Sequence, residues 1–578
     1  METLLEKNTT TPQTTKLLSG AEAVIQCLLE EKVEVLFGYP GGAIMPVYDA
    51  LYDFRNQLNH VLVRHEQGAG HAAEGYARAC GKPGVCLVTS GPGATNLITA
   101  ITDAMMDSVP MVCLVGQVAK SLLGTDAFQE ADLISMTLPI TKWNYQITSA
   151  DEIPEVMAKA FYIATSGRPG PVLVDITKSA QFEKMTQAFT YEKCTRIFSY
   201  QPKNTLMKVD LERAAEILNA AERPYVFAGH GVTISGAENA LMQLVEKTDM
   251  PVGCTLHGLS AFPAAHPNYA GMLGMHGHYA ANIMTNEADV ILAIGMRFDD
   301  RVTGDLRTFA KQAKIVHIDI DASELNKNMS ATVALRGDAK DALEQLLPLL
   351  HEKKRVEWNQ AFKNLYREEF EKVISNQVYP TTGQLKMGEV IHQVSEMTQG
   401  KALVVADVGQ HQMMTARYYQ FAENKSFISS GGLGTMGFAL PAAMGAQMGK
   451  TKRTVVAFIG DGCFQMTLQE LGTIQQNKLP VKIIILNNHF LGMVRQWQEL
   501  FFESRYSFTE LQNPDFVTIA KGFGIAGENV EQREQLQTAL ERMFAFDGPY
   551  LLNITVEKED NVFPMVPGGG SVHEIRLQ

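Results

Sequence analysis

The sequence predicts an α/β protein made of three doubly wound parallel-sheet domains. Three observations carry that expectation. Short apolar runs recur along the chain, each ending in a glycine-rich or polar turn and followed by a segment of helical character, the pattern of strand–helix–strand units in a parallel sheet. At 578 residues the chain accommodates three or four domains of about 150 residues each. The alternation fails at Gln181–Val209, read as an interdomain linker, and at the charged stretch His351–Arg367, read as a solvated helix. These breaks divide the chain into 1–190, 191–370 and 371–578.

Composition excludes several classes of function. Hydrophobic content of 46% and charged content of 20% are ordinary for a globular protein. A net charge of −13 argues against nucleic acid and anionic membrane as general partners. The cysteines at 27, 80, 86, 113, 194, 254 and 463 contain no C-x-x-C pair, which points to free thiols in a reducing compartment. The first fifteen residues are polar, Thr-rich and free of Arg, unlike a signal or transit peptide. No apolar run reaches the ~18 residues of a membrane span, so a cytoplasmic protein is expected.

In the first domain, strands are expected at Val33–Phe37, Leu62–Glu66, Val85–Thr89, Met111–Gly116 and Val172–Ile176. The second ends in Glu66, and the Ala/Gly-rich segment Gly68–Cys80 after it reads as a close-packed helix. The third runs into Ser90-Gly91-Pro92-Gly93-Ala94-Thr95-Asn96, with Thr95 and Asn96 as helix-cap candidates. In the second domain the strands are Tyr225–Ala228, ending in Gly229-His230-Gly231; Val290–Ile294, ending in Gly295; and Ile315–Ile320, ending near Asp319 and Asp321. A carboxylate at such a strand end can bind a ribose hydroxyl. The third domain begins near Tyr379-Pro380 and resembles the first in its rhythm.

The third domain holds the most informative stretch. The run Thr454–Ile459 ends in Gly460-Asp461-Gly462, an amphipathic segment with Leu468, Leu471 and Ile474 follows, and the run Val481–Leu486 ends in Asn487-Asn488. This β-α-β unit puts Asp461 and Asn488 at the carboxyl ends of two strands of one sheet, where open parallel sheets bind ligands. The pair offers hard oxygen donors suited to Mg²⁺ beside a diphosphate, and the glycines allow close backbone approach.

Gly-Asp-Gly with Asn-Asn at that distance resembles the thiamine diphosphate-binding signature. Four further stretches, S-G-P-G-A-T-N (90–96), G-T-D-A-F-Q-E (124–130), R-F-D-D-R-V-T-G (297–304) and L-G-M-V-R-Q-W (491–497), narrow it: from about Leu17 to nearly the end, the chain resembles the catalytic large subunits of acetohydroxyacid synthase, also called acetolactate synthase. The resemblance implies pyrimidine-binding, central FAD-type and pyrophosphate-binding domains. It implies decarboxylation of pyruvate on thiamine diphosphate and condensation of the hydroxyethyl carbanion with pyruvate or 2-ketobutyrate, giving 2-acetolactate or 2-aceto-2-hydroxybutyrate in branched-chain amino-acid synthesis.

It also implies roles. Asp461, Asn488 and the Phe490 carbonyl would hold Mg²⁺. Val408, Gly409, Gln410, His411 and Gly462 would surround the diphosphate, with Gly434, Met436 and Met493 along the cofactor. Glu66 would activate the aminopyrimidine, Gln129 and Lys178 would lie near the reacting carbons, and Phe128 and Met493 would wall the substrate channel. Arg168, Gly229, Gly231, Met275, His276, Arg297, Asp300, Asp319 and Asp338 would bind FAD, a structural group here because the net reaction needs no redox step. Arg301 would pair with the second substrate's carboxylate, and Trp497 would select 2-ketobutyrate. Partners would be a second copy of the chain, as a homodimer or dimer of dimers, and a regulatory small subunit. Thr467 stands where many relatives have Asn. Taken alone, Glu66 reads equally as a helix cap, Met436 as a core gap-filler, and Arg297 and Arg301 as surface ion pairs.

Overall fold

In the computed structural model of the chain, which describes residues 17–202, 206–449 and 452–578, eighteen strands form three separate six-stranded sheets. The polar amino-terminal stretch lies outside the described residues. The first sheet contains β1 (Val35–Tyr39), β2 (Asn59–Leu62), β3 (Gly84–Val88), β4 (Met111–Gln117), β5 (Trp143–Ile147) and β6 (Pro171–Thr177). The second contains β7 (Pro224–Ala228), β8 (Val252–Cys254), β9 (Tyr269–Met272), β10 (Val290–Ile294), β11 (Lys314–Asp319) and β12 (Val333–Arg336). The third contains β13 (Leu403–Ala406), β14 (Phe427–Ser429), β15 (Val455–Gly460), β16 (Lys482–Asn487), β17 (Ala526–Val530) and β18 (Tyr550–Thr555). Every strand pairing is parallel. Central strands such as β4, β10 and β15 are buried along their whole length, so continuous apolar runs were their sequence signal.

The strand orders define the architecture. The first sheet runs β2-β1-β3-β4-β6-β5 and the third β14-β13-β15-β16-β18-β17. These are the same order, so the likeness of rhythm between the two domains is a likeness of topology. The second sheet runs β12-β11-β10-β7-β8-β9, the dinucleotide-fold order, with its reversal between β7 and β10. In the third sheet the order reverses between β13 and β15, which brings the turns after those strands together.

The domains pack through shared apolar cores, one joining the first and third sheets and another the second and third. The helix Glu66–Cys80 lies against the helix Ala439–Met448. A Cβ on Gly75 would sit 1.9 Å from the Ala442 carbonyl oxygen, and one on Gly445 1.8 Å from that of Ala72. The buried Arg417 guanidinium donates to the carbonyls of His276 (3.1 Å) and Gly277 (2.8 Å) and pairs with Glu369, which fastens the third domain to the second.

Several local expectations are corrected. The stretch after the first domain is helical to Phe182 and again from Lys208. In the irregular part between, Phe189, Tyr191, Ile197 and Tyr200 pack on the first domain's core. The charged helix is Val356–Glu369, and Trp358 and Phe362 bury one face of it. The strand expected at Leu62–Glu66 ends at Leu62, and Glu66 is instead the first residue of the helix Glu66–Cys80. The segment after Asp461 is a helix, Asp461–Thr467, a single 3₁₀ turn, Leu468–Glu470, and a second helix, Leu471–Gln476. The three-residue spacing of its leucines accommodates that turn.

Candidate active site

Two adjoining cavities occupy the carboxyl edges of the second and third sheets. The larger, ≈ 1570 Å³, is lined by Arg168 of the first domain, by Gly231, Met275, His276, Arg297, Asp300, Arg301, Asp319 and Asp338 of the second, and by Val408, Gly409, Gly434, Met436, Met493 and Trp497 of the third. The smaller, ≈ 50 Å³, continues from Val408, Gly409, Met436 and Met493 to Gln410, His411, Asp461, Gly462, Asn488 and Phe490. One cleft thus runs from the reversal point of the second sheet to that of the third.

The small cavity is built by the turns after β13, β15 and β16. Asp461 and Asn488 are almost fully buried. The Asp461 carboxylate accepts a hydrogen bond from Asn513 Nδ2 at 2.6 Å, and burial pushes its pKa up to about 6. Asn488 Nδ2 donates to Gln410 Oε1 at 3.3 Å, while its Oδ1 accepts from the Phe490 N–H at 3.2 Å. His489 between them adopts φ +57°, a conformation costly for a non-glycine residue and held here by its neighbours. Gly409 has φ +147°, and a Cβ there would sit 2.9 Å from the His411 ring. His411 is buried, burial pushes its pKa down to about 3, and its Nε2 has no hydrogen-bond partner. The cavity therefore offers an all-oxygen donor pair, close backbone approach and a neutral imidazole, a set that fits a diphosphate and a hard cation.

The middle-domain end is built around glycine. A Cβ on Gly229 would sit 2.2 Å from the Gly295 carbonyl oxygen, and one on Gly231 2.6 Å from Gly295 Cα. Gly231 borders the cavity, whereas Gly229, expected as a binding residue, serves this packing and does not line it. Arg168 donates to Asp321 (3.2 Å) and Glu324 (2.8 Å). Asp338 caps the helix Ala339–Leu346 by accepting the N–H groups of Lys340 and Asp341. His276 is buried and neutral, its pKa pushed down to about 4 by burial first and then by Arg417. Arg301 lies over the Trp497 ring, 6.0 Å from its centroid, so the two residues expected to contact substrate meet across two domains.

The first-domain candidates stand apart. Glu66, Phe128, Gln129 and Lys178 line neither cavity. Phe128 is 88% exposed, and Gln129, at φ +62°, packs on Gly91. Neither Thr95 nor Asn96 caps the helix Ile98–Asp107, whose N-cap is Leu97; Asn96 ends the short helix Pro92–Thr95, and its Nδ2 donates to Glu66 Oε2 at 2.9 Å. Thr467 keeps a positioning contact, donating to the Gly437 carbonyl at 3.0 Å. Sequence reasoning missed Asn513, which carries no motif and reaches Asp461 only through the fold.

Models of the thiamine pyrophosphate enzymes match all three domains: the N-terminal TPP binding domain over 18–136, the central domain over 211–346 and the C-terminal TPP binding domain over 407–554. Fold and site thus define a thiamine diphosphate-dependent enzyme. The chain is 46% identical to the acetolactate synthase isozyme 2 large subunit of Escherichia coli K12, across 96% of this chain and 99% of that one. It is 44% identical to the acetolactate synthase large subunit of Corynebacterium glutamicum (97% and 90% covered) and 43% to the probable acetolactate synthase large subunit of Methanocaldococcus jannaschii (96% and 95%). The chain belongs to the acetolactate synthase large-subunit family.

Proposed function

We propose that this chain is the catalytic subunit of an acetohydroxyacid synthase. It decarboxylates pyruvate and joins the two-carbon unit to a second pyruvate or to 2-ketobutyrate, for branched-chain amino-acid synthesis. The observation that carries this reading beyond family membership is the continuous cleft from Asp461 and Asn488 to Arg301 over Trp497. Thiamine diphosphate supplies an electron sink for the carbon left by decarboxylation. Asp461, Asn488 and the Phe490 carbonyl hold Mg²⁺, and Val408 to His411 with Gly462 line the diphosphate. Glu66, kept in place by Asn96, holds and releases a proton at the pyrimidine. Arg301 binds the second substrate's carboxylate, and Trp497 walls off the space for its side chain. Gln129 and Lys178 approach the reacting carbons, and Phe128 closes the channel.

The separation of the two sets supports an oligomer. Glu66, Phe128, Gln129 and Lys178 lie outside the cleft, while Phe128, Phe501, Phe502 and Phe508 expose apolar surface. A homodimer or a dimer of such dimers brings one copy's first domain to the other's third domain. FAD occupies the middle-domain end of the cleft. The dinucleotide-fold strand order and the glycine contacts at Gly229, Gly231 and Gly295 support it, with Arg168, Met275, His276, Arg297, Asp300, Asp319 and Asp338 around it. The domain limits fall near 190 and 370, a regulatory small subunit completes the enzyme, and it works in the cytoplasm. Among the described residues no helix is long and apolar enough to cross a membrane.

The deciding experiment is product analysis with pyruvate alone and with added 2-ketobutyrate. 2-Acetolactate in the first case and 2-aceto-2-hydroxybutyrate in the second are expected; acetaldehyde or acetate alone overturns the reading. The purified protein is expected to carry FAD or take it up, and to turn over without net flavin reduction.

A further inference from the structure

The turn that presents Glu66 is gripped by a side chain from another domain. β2 ends at Leu62 and the helix begins at Glu66, so Val63, Arg64 and His65 form an irregular passage. The N–H groups of Arg64 and His65 both donate to Glu470 of the third domain. Oε1 accepts from Arg64 at 3.0 Å and from His65 at 3.1 Å, and Oε2 accepts from Arg64 at 3.2 Å. The Thr473 hydroxyl donates to Oε2 at 2.7 Å. A Cβ on Gly68 would lie 2.5 Å from Glu470 Oε1, so that glycine lets the helix start approach the carboxylate. Arg64 extends the grip by donating to Gln476 Oε1 at 2.7 Å. Glu470 is fully buried, and a buried carboxylate is tolerated when its oxygens are satisfied in this way. It also closes the 3₁₀ turn of the very segment that begins at Asp461.

We infer that Glu470 is a positioning residue for Glu66: its carboxylate fixes the 63–65 passage, and with it the place of the Glu66 side chain. This rests on the reading of Glu66 as the proton-handling group. In the proposed dimer, Asp461 and Glu66 of one chain serve different cofactors, so the Asp461–Gln476 segment joins two active sites through a single run of backbone.

The test uses Glu470→Gln, which keeps the shape but has one acceptor oxygen and turns an N–H donor toward the donors it faces. In the cofactor-free protein, amide hydrogen exchange at Arg64 and His65 is expected to quicken by at least about tenfold, the scale of a hydrogen bond to a charged group, while β1 amides keep their rates. In the loaded protein, C2 proton exchange of bound thiamine diphosphate is expected to slow by roughly a hundredfold, as for a small misplacement of a reacting group, with cofactor affinity retained. The double variant Glu66→Gln/Glu470→Gln should exchange no more slowly than Glu66→Gln alone, since Glu470 acts through Glu66. Additive slowing overturns the inference, and so does wild-type exchange in Glu470→Gln when Glu66→Gln is slow. If Glu66→Gln itself keeps the wild-type rate, the proposed role of Glu66 fails and this role for Glu470 falls with it. Should Glu470→Gln not fold, the isosteric Thr473→Val removes one donor to the same carboxylate, and wild-type C2 exchange there counts against the inference.

Discussion

The first and third sheets have one strand order and opposite exposures of their functional edge. In the third, the turns after β13, β15 and β16 converge on a cavity with buried Asp461, Asn488 and His411. In the first, the corresponding edge carries a half-buried Glu66, an 88% exposed Phe128 and no share of that cavity. Topology decides where on a sheet a site can form. The turn residues decide what the site does. The third domain places oxygen donors and glycines in its turns, whereas the first presents Glu66 away from that cavity.

The comparison can be broken at either edge. Asp461→Ala has the largest expected effect: Mg²⁺-dependent cofactor binding is lost in calorimetric titration, because Asp461 would be the one carboxylate holding the cation beside the diphosphate. Unchanged affinity would remove the third domain from its role. Glu66→Gln is expected to leave binding in place while C2 proton exchange, followed by NMR after acid quench, slows by about two orders of magnitude or more. Equal loss of binding in both variants would erase the division of labour.

The seam between the two domains gives the next effect. Gly445→Val places a side chain on the Ala72 carbonyl and is expected to cost about 3 kcal/mol or more in denaturant unfolding. A neutral result would mean that the two helices are free to part. Trp497→Leu removes the wall beside Arg301, and competition between the two ketoacids is expected to shift roughly tenfold toward pyruvate. A fixed product ratio would reduce Trp497 to packing.

The smallest effect concerns Asp103, which accepts from the third domain's Ser430 at 2.8 Å. Its pKa is pushed up to about 8 by burial first, then by Glu74 and Asp107. The unfolded chain releases this proton near pH 4 and the folded chain near pH 8. This group's contribution is therefore full at low pH and declines through that window as pH rises. Asp103→Asn mimics the protonated form, and its Tm is expected to fall less than the wild type's from pH 5 to pH 8, by a few degrees. Parallel Tm curves would show that the carboxyl is ionised in the fold.

Three parallel sheets were legible in the residues alone, because buried strands need unbroken apolar runs and the glycine turns after them need their backbone freedom. The sequence also marked Asp461, Asn488, Glu66 and the R-F-D-D-R stretch, since polar groups of that chemistry follow apolar runs in a local pattern. It misjudged Leu62–Glu66 because an apolar run with a polar end does not reveal where its backbone leaves the ladder. It read Asn96 as the start of the next helix because a side chain's partner thirty residues away leaves no local trace. The contacts by which Asn96 holds Glu66, Asn513 holds Asp461, Arg301 meets Trp497 and Glu470 grips the turn before Glu66 exist in the folded chain alone. Each of these joins segments far apart in the chain, where the contact depends on how helices and sheets pack against one another.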